Sequence, residues 1–369
     1  MKKIVGTIAA IALAASSAFA GANFGMGFNR GVWAPFALSK TGDTTTMGML
    51  NTTNWGWGGP RIGASFSAAS EDIGVVGDVK FDGGKVKVND NAYICVKPAS
   101  WLKIQIGQSF DDTLRGNACF GSWDWLRAGS ILGEDLTFRR ISKDANTMSE
   151  PMTGAIVMLD PIEGLHVAAG FPIAYASLTN YESVFKNIQV QAGYTITDVM
   201  QIKAQWRGTG DEYGIINAAV SLKAVENMTL DVGAYFNTKP ESDIVIAAFW
   251  GMPFGAVSVN ANAEVTIPTN AGNNASMKAG VGVGVDCGNG ISVAGDVRIG
   301  QEFTDNAKTA ITASVMANKG VANGSIGIGV QAAFNDDFGG ITGMKKDKDN
   351  GIPTPDMNIA IPVMFQCFF

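Results

Sequence analysis

The chain has 369 residues, 46% of them hydrophobic, and is acidic, with 33 Asp and Glu against 27 Lys and Arg. That balance argues against nucleic acid as a partner, because phosphate binding needs a basic surface. Cys95, Cys119, Cys287 and Cys367 are too few for a disulfide scaffold and include no C-x-x-C pair for structural zinc.

The first residues, MKKIVGTIAAIALAASSAFA, set Lys2 and Lys3 before an apolar stretch from Ile4 to Ala15 and end in Ala18-Phe19-Ala20. This is the layout of a bacterial secretory signal peptide with an A-x-A cleavage site, so residues 1–20 are set aside and 21–369 are read as one domain. Without Lys2 and Lys3, 25 basic side chains face 33 acidic ones, a net charge of −8. No later apolar run is long enough for a membrane-spanning helix. The nearest, Ile244 to Val257, is interrupted by Gly251, Pro253 and Gly255. An exported chain of this kind is either a large soluble β-protein or a closed transmembrane barrel.

A period of two recurs along the chain. Ile188, Val190, Ala192, Tyr194 and Ile196 alternate with Gln189, Gln191, Gly193 and Thr195, and Met200 to Trp206 repeats the pattern around Gln201, Lys203 and Gln205. Val257 to Ile267 and Met277 to Val285 continue it. Such alternation predicts strands with one apolar and one polar face. Tight links carry turn residues at Glu71-Asp72, Pro98-Ala99-Ser100, Glu163-Gly164, Thr197-Asp198, Glu226-Asn227, Pro253-Phe254-Gly255 and Cys287 to Gly290. Longer polar links fall near 39–59, 108–150, 208–213, 237–243, 268–275 and 335–356. Short turns at one end and long loops at the other predict an all-β, closed antiparallel transmembrane barrel of about 18 strands, with about 16 as the runner-up.

Outward aromatics fit that reading. Phe81, Phe110, Tyr175, Trp206, Phe236, Phe303 and Phe334 lie near long loops on the apolar face, and Tyr194, Trp250 and Phe369 lie near short turns. Two aromatic belts mark the two headgroup layers of a membrane. The opposite face carries charge: Arg61, Lys80, Lys87, Lys103, Lys203, Arg207, Lys223, Lys278 and Arg298, against fewer acids that include Glu264 and Asp296. So many charges imply water inside, and barrels of this strand number leave an aqueous channel.

Catalytic and cofactor motifs are weak. The only histidine, His166, follows a tight turn on the non-lipid face, with no orienting partner near it in sequence. Asp111-Asp112 is read as loop charge rather than a proteolytic dyad. Gly280-Val281-Gly282-Val283-Gly284 sits inside a strand pattern, so it is not a phosphate loop. Asp347 to Gly351 lacks the spacing of a calcium loop and no Glu closes it. No cofactor, metal or enzymatic activity is predicted.

The chain ends NIAIPVMFQCFF, with Ile359, Ile361, Val363, Phe365, Cys367 and Phe369 on one strand face. This run resembles the C-terminal signal of bacterial outer-membrane β-barrels, and the overall look is similar to porins of spirochaetes and other bacteria. The resemblance implies recognition of Phe365 and Phe369 by the barrel-assembly machinery, pairing of the last strand with the first, and a surround of outer-membrane lipid. It also implies a porin: a water-filled channel for passive diffusion of small hydrophilic solutes and ions. The alternatives are a hydrophobic-substrate transport barrel and a structural or adhesive barrel.

The link from Ser109 to Glu150 is the third on the long-loop side and carries apolar anchors such as Trp123, Trp125 and Leu126. A link of that length is usually functional. One reading is an external cap packed on neighbouring loops. The other resembles trimeric general porins, whose third loop folds into the barrel and narrows it. That resemblance sets Asp111, Asp112, Asp124, Glu134 and Asp135 opposite Arg115, Arg127, Arg139 and Arg140 across a constriction. Homotrimer and monomer both stay open.

Overall fold

A strand with one apolar and one polar face needs two different surroundings, and the observed sheet is built around that need. The computed structural model describes residues 23–25, 29–50, 62–82, 85–111, 113–114, 152–173, 178–210, 212–270, 272–335 and 355–367. Before the longest link come β1 (Asn23–Gly25), β2 (Asn29–Thr41), β3 (Thr44–Leu50), β4 (Ile62–Ala69), β5 (Ile73–Asp82), β6 (Lys85–Ala99) and β7 (Leu102–Ser109). After it come β8 (Met152–Leu159), β9 (Leu165–Pro172), helix α1 (Tyr181–Lys186), β10 (Gln189–Ile196), β11 (Met200–Gly208) and β12 (Gly214–Leu222). The rest are β13 (Thr229–Asn237), β14 (Ile244–Phe254), β15 (Val257–Ile267), β16 (Ser276–Gly288), β17 (Ile291–Glu302), β18 (Ala310–Val321), β19 (Gly324–Phe334) and β20 (Met357–Cys367).

All of these strands belong to one antiparallel sheet. From β4 onward each strand pairs with the next in sequence. At the start of the chain β2 pairs with β3, while β1 pairs with β4. The last strand, β20, lies between β19 and β2.

The distribution of side chains is inside-out. Along β18, Ala310, Thr312, Ser314 and Met316 are buried while Ile311 and Val315 are exposed. Along β20, Asn358, Ala360, Pro362 and Met364 are buried and Phe365 is exposed. Val281, Val283, Val297, Ile299, Ile328 and Val330 extend the exposed apolar band over β16, β17 and β19. Contiguous apolar surface costs about 25 cal/mol per Å² in water, so a band this broad belongs against lipid. Phe236, Phe303 and Phe334 are exposed at its long-loop end and Tyr194 at its short-turn end. Trp206 lies over Gly214 on the same outer face, where a Cβ would meet the indole at 2.3 Å. Phe81, Tyr175 and Phe369 lie outside the residues whose side chains are described, and Phe110 lies beyond the end of β7.

The tight links follow their turn chemistry. Asp198, Asn227, Asn289 and Asn323 take φ of 57, 60, 53 and 56°, the left-handed region that Asx residues tolerate. Two links differ from expectation. Residues 39–59 were expected to be a loop, but β2 and β3 form a hairpin through Gly42 at φ 57°, because Thr44, Thr45 and Thr46 favour extended backbone. The link between β9 and β10 holds α1, capped by the Asn180 side chain accepting from Ser183 N–H at 2.7 Å and braced by the Glu182–Lys186 pair. Among the described residues no helix is long and apolar enough to cross a membrane. Residues 1–20, expected to be the signal peptide, lie outside the described residues.

Candidate functional site on the inner wall

The inner face of β9 to β12 is set by strand parity. His166 and Ala168 on β9 point inward, as do Gln189, Gln191 and Gly193 on β10. So do Lys203, Gln205 and Arg207 on β11, and Asn217, Ala219 and Ser221 on β12. Register places His166, Gly193, Lys203, Ala219, Gly233, Ala247, Glu264 and Lys278 side by side in one row across eight strands. Between Lys203 and Glu264 the row holds only the small residues Ala219, Gly233 and Ala247, which leaves space there.

Part of that space is taken by the chain itself. After Ser109, which pairs with Met152, the described residues of the segment 110–114 (Phe110, Asp111, Thr113 and Leu114) lead to the wall of β9 to β12, where Asp111 and Leu114 are seated. Asp111, 3% exposed, accepts from Gln191 Nε2 at 2.6 Å, and its Oδ2 lies 2.7 Å from His166 Nε2. Its Oδ1 accepts from Thr113 N–H at 3.0 Å and Thr113 Oγ1 at 2.6 Å. The other ring nitrogen of His166, Nδ1, lies 2.8 Å from Asp160 Oδ1 in the turn before β9. Leu114 is buried against Ala219 and lies over Gly193, where a Cβ would stand 2.4 Å from Leu114 Cδ2. Any larger residue at 193 would collide with Leu114. Burial alone would raise the Asp111 carboxyl, but the bonds from His166 and Thr113 outweigh it and hold the carboxyl below its usual range.

This arrangement revises two expectations. His166 has two orienting carboxylates, and one of them is 55 positions away in sequence, where no local pattern points to it. Asp111 is not exposed loop charge: His166 and Gln191 bind it to the wall, while the arginines expected opposite it lie outside the described residues. The other expected constriction residues, Asp112, Arg115, Asp124, Arg127, Glu134, Asp135, Arg139 and Arg140, lie outside the described residues.

The expected wall charges are largely where parity places them. Lys203, Arg207, Glu264, Asp296 and Arg298 are buried on the inner face, and Lys80, Lys103 and Lys278 are half-buried. Lys87 pairs with Lys80 between β5 and β6. Glu264 and Lys278 form a cross-strand ion pair at 3.0 Å, and Asp296 and Arg298 lie 2.9 Å apart on β17. Asp231 on β13 is close enough to attract Lys203. Lys223 lies one residue past β12, exposed at the turn and close enough to Lys203 to repel it. Arg61 lies outside the described residues. Beyond the charges the wall is amide-rich, with Asn217 Nδ2 donating to Gln205 Oε1 at 3.1 Å and with Asn260, Asn262, Gln331 and Asn358 all buried.

No protein-family model matches the chain, and no curated protein matches it in sequence. Solved structures do match in fold. OccAB1 of Acinetobacter baumannii is 13% identical, with 96% of this chain and 98% of that chain covered and a TM-score of 0.59. OccK5 (OpdH) of Pseudomonas aeruginosa is 10% identical, with 95% and 99% covered and a TM-score of 0.55. The anion-selective porin from Comamonas acidovorans is 10% identical, with 95% and 99% covered and a TM-score of 0.50. The likeness spans nearly the whole of both chains and shows that this chain has the fold of the outer-membrane porins.

Proposed function

We propose that the chain is an outer-membrane porin, a closed barrel whose water-filled lumen passes small hydrophilic solutes and ions by diffusion. The observation that carries this reading is the inside-out sheet: apolar side chains exposed outward, and charged and amide side chains turned inward. Closure follows if β1 and β2 are two parts of one stave, and β3 and β4 two parts of the next. The pairings of β1 with β4 and β2 with β3 support those joins. The twenty segments then make eighteen staves, and the pairing of β20 with β2 completes the ring. A closed ring leaves no ladder hydrogen bonds open to lipid. It also gives the terminal strand the place from which the barrel-assembly machinery would read it.

Water in the lumen is supported by the wall amides. Both side-chain polar atoms of Asn262, Gln331 and Asn358 are buried without a protein hydrogen bond. Each such group costs about 1–3 kcal/mol unless solvated. A polar wall of this kind disfavours the hydrophobic-substrate alternative. Both ring nitrogens of His166 face carboxylates, so neither accepts a proton from a nucleophile, and the reading is passage rather than chemistry.

The link 109–150 is proposed to narrow the lumen. Its first residues support this, since Asp111 and Leu114 are seated on the inner face of β9 to β12. Ion preference is proposed to follow the wall. The pairs Glu264–Lys278 and Asp296–Arg298 neutralise themselves, and the other described basic residues of the inner face, Lys80, Lys103, Lys203 and Arg207, outnumber the acids Asp78 and Asp231. Reversal potentials in a salt gradient should show a mild anion preference. A clear cation preference would assign control to acids in the loops.

A further inference from the structure

The contacts of His166 are stoichiometric in protons. A neutral imidazole carries one N–H and can donate to one carboxylate, whereas the imidazolium donates to two. Against two ionised carboxylates, Asp160 on Nδ1 and Asp111 on Nε2, both short contacts are satisfied only by the imidazolium. Loss of one proton sets a ring lone pair against a carboxylate, either at the turn or at the segment 110–114. These two contacts differ in consequence. Asp160 belongs to the wall, joined to β8 and β9 by the chain, while Asp111 belongs to a segment that has left the sheet. Its hold on the wall runs through His166, Gln191 and the Leu114 seat.

We propose that His166 is a protonation-dependent clamp on the segment 110–114, so that the width of the lumen at this level depends on pH. The proposal rests on the channel reading above and adds the residue that positions its constriction. The groups that face His166 are few. The turn after β8 brings Asp160, with Glu163 in the same turn, and the segment brings Asp111 and the neutral Thr113. β10 brings Gln191 and Gly193, with Lys203 of β11 beyond Gly193 in the row. Of these, the two carboxylates touch the ring directly, and Lys203 lies one strand further along the row.

Asp111 sets the acid limit of the clamp. Its carboxyl is held below the usual range, so its contribution is complete above the ordinary carboxylate value of about 4 and is lost as pH falls through the lowered value. The alkaline limit belongs to His166. Between those limits the segment is held, and conductance is lowest.

The test uses the purified full chain in planar bilayers, recorded between about pH 6 and about pH 9, a range that brackets ordinary imidazole titration. Conductance of the wild type should rise by about twofold toward the alkaline end as the segment is released. His166→Gln, which cannot titrate, should give a flat profile. A second variant keeps the test decisive if His166→Gln fails to assemble. With Cys95, Cys119, Cys287 and Cys367 changed to Ser, Leu114→Cys and Ala219→Cys should form a disulfide that fixes the segment and flattens the profile until it is reduced. If the pair cross-links but the wild type shows no pH dependence, the seat stands and the clamp is overturned. If the pair does not cross-link, the segment is not seated in the lumen, and the constriction reading falls together with the clamp.

Discussion

Val315→Arg should sharply reduce the amount of assembled protein, while Ser314→Arg, one residue away, should leave assembly intact and change conductance. The two residues are neighbours near the middle of β18, yet Val315 is 56% exposed in the apolar band and Ser314 is 4% exposed on the inner wall. An arginine facing lipid near the bilayer midplane costs about 2–4 kcal/mol, a large share of the stability of any single domain. An arginine at 314 would enter a polar lumen beside Gln331, its cross-strand partner, and pay no such cost. Folding yield into vesicles, read as the fraction that migrates compactly before boiling, distinguishes the pair. Equal yields for the two variants would mean that the faces are assigned wrongly.

The second large effect is on the passage. Removing residues 115–140 while keeping Asp111, Thr113 and Leu114 should raise single-channel conductance by about twofold or more and loosen size exclusion. The expectation follows from where the link begins. Gly193 and Ala219 form a shallow seat for Leu114 at the level of Lys203, so the chain leaves β7 inward rather than away from the membrane. Unchanged conductance, with altered labelling at the cell surface, would place the excised residues outside the pore.

Much of this architecture is legible in the sequence because β-structure writes its two surroundings into alternate residues. Val257 to Ile267 and Met277 to Val285 are apolar at every second position, and the observed strands β15 and β16 expose or bury those positions as parity requires. The turns are legible for a similar reason, since Asp198, Asn227 and Asn289 are local solutions to a left-handed backbone. The hairpin of β2 and β3 was hidden by its composition. Threonine-rich strands with a Gly-Asp turn look like polar loop until their partner is known. The split between β1 and β2 was also illegible, because register with β4 and β20 is a long-range property.

The candidate site divides in the same way. Parity alone placed Lys203, Arg207, Glu264, Asp296 and Arg298 on the inner face. It also placed His166 there, but it could not show what His166 meets. Asp111 reaches His166 only because the chain turns inward after Ser109, and no residue between them in sequence encodes that turn as a periodicity. Pairings of this kind depend on the order of strands in the sheet, where β7 and β9 sit two apart while their residues are separated by the longest link.

The central claim is a water-filled passage through a membrane, and single-channel recording of the purified full chain in planar bilayers tests it most directly. The account predicts discrete, nearly ohmic conductance steps once protein that runs compactly before boiling is added. Bilayers that stay sealed in the presence of such assembled protein would contradict it.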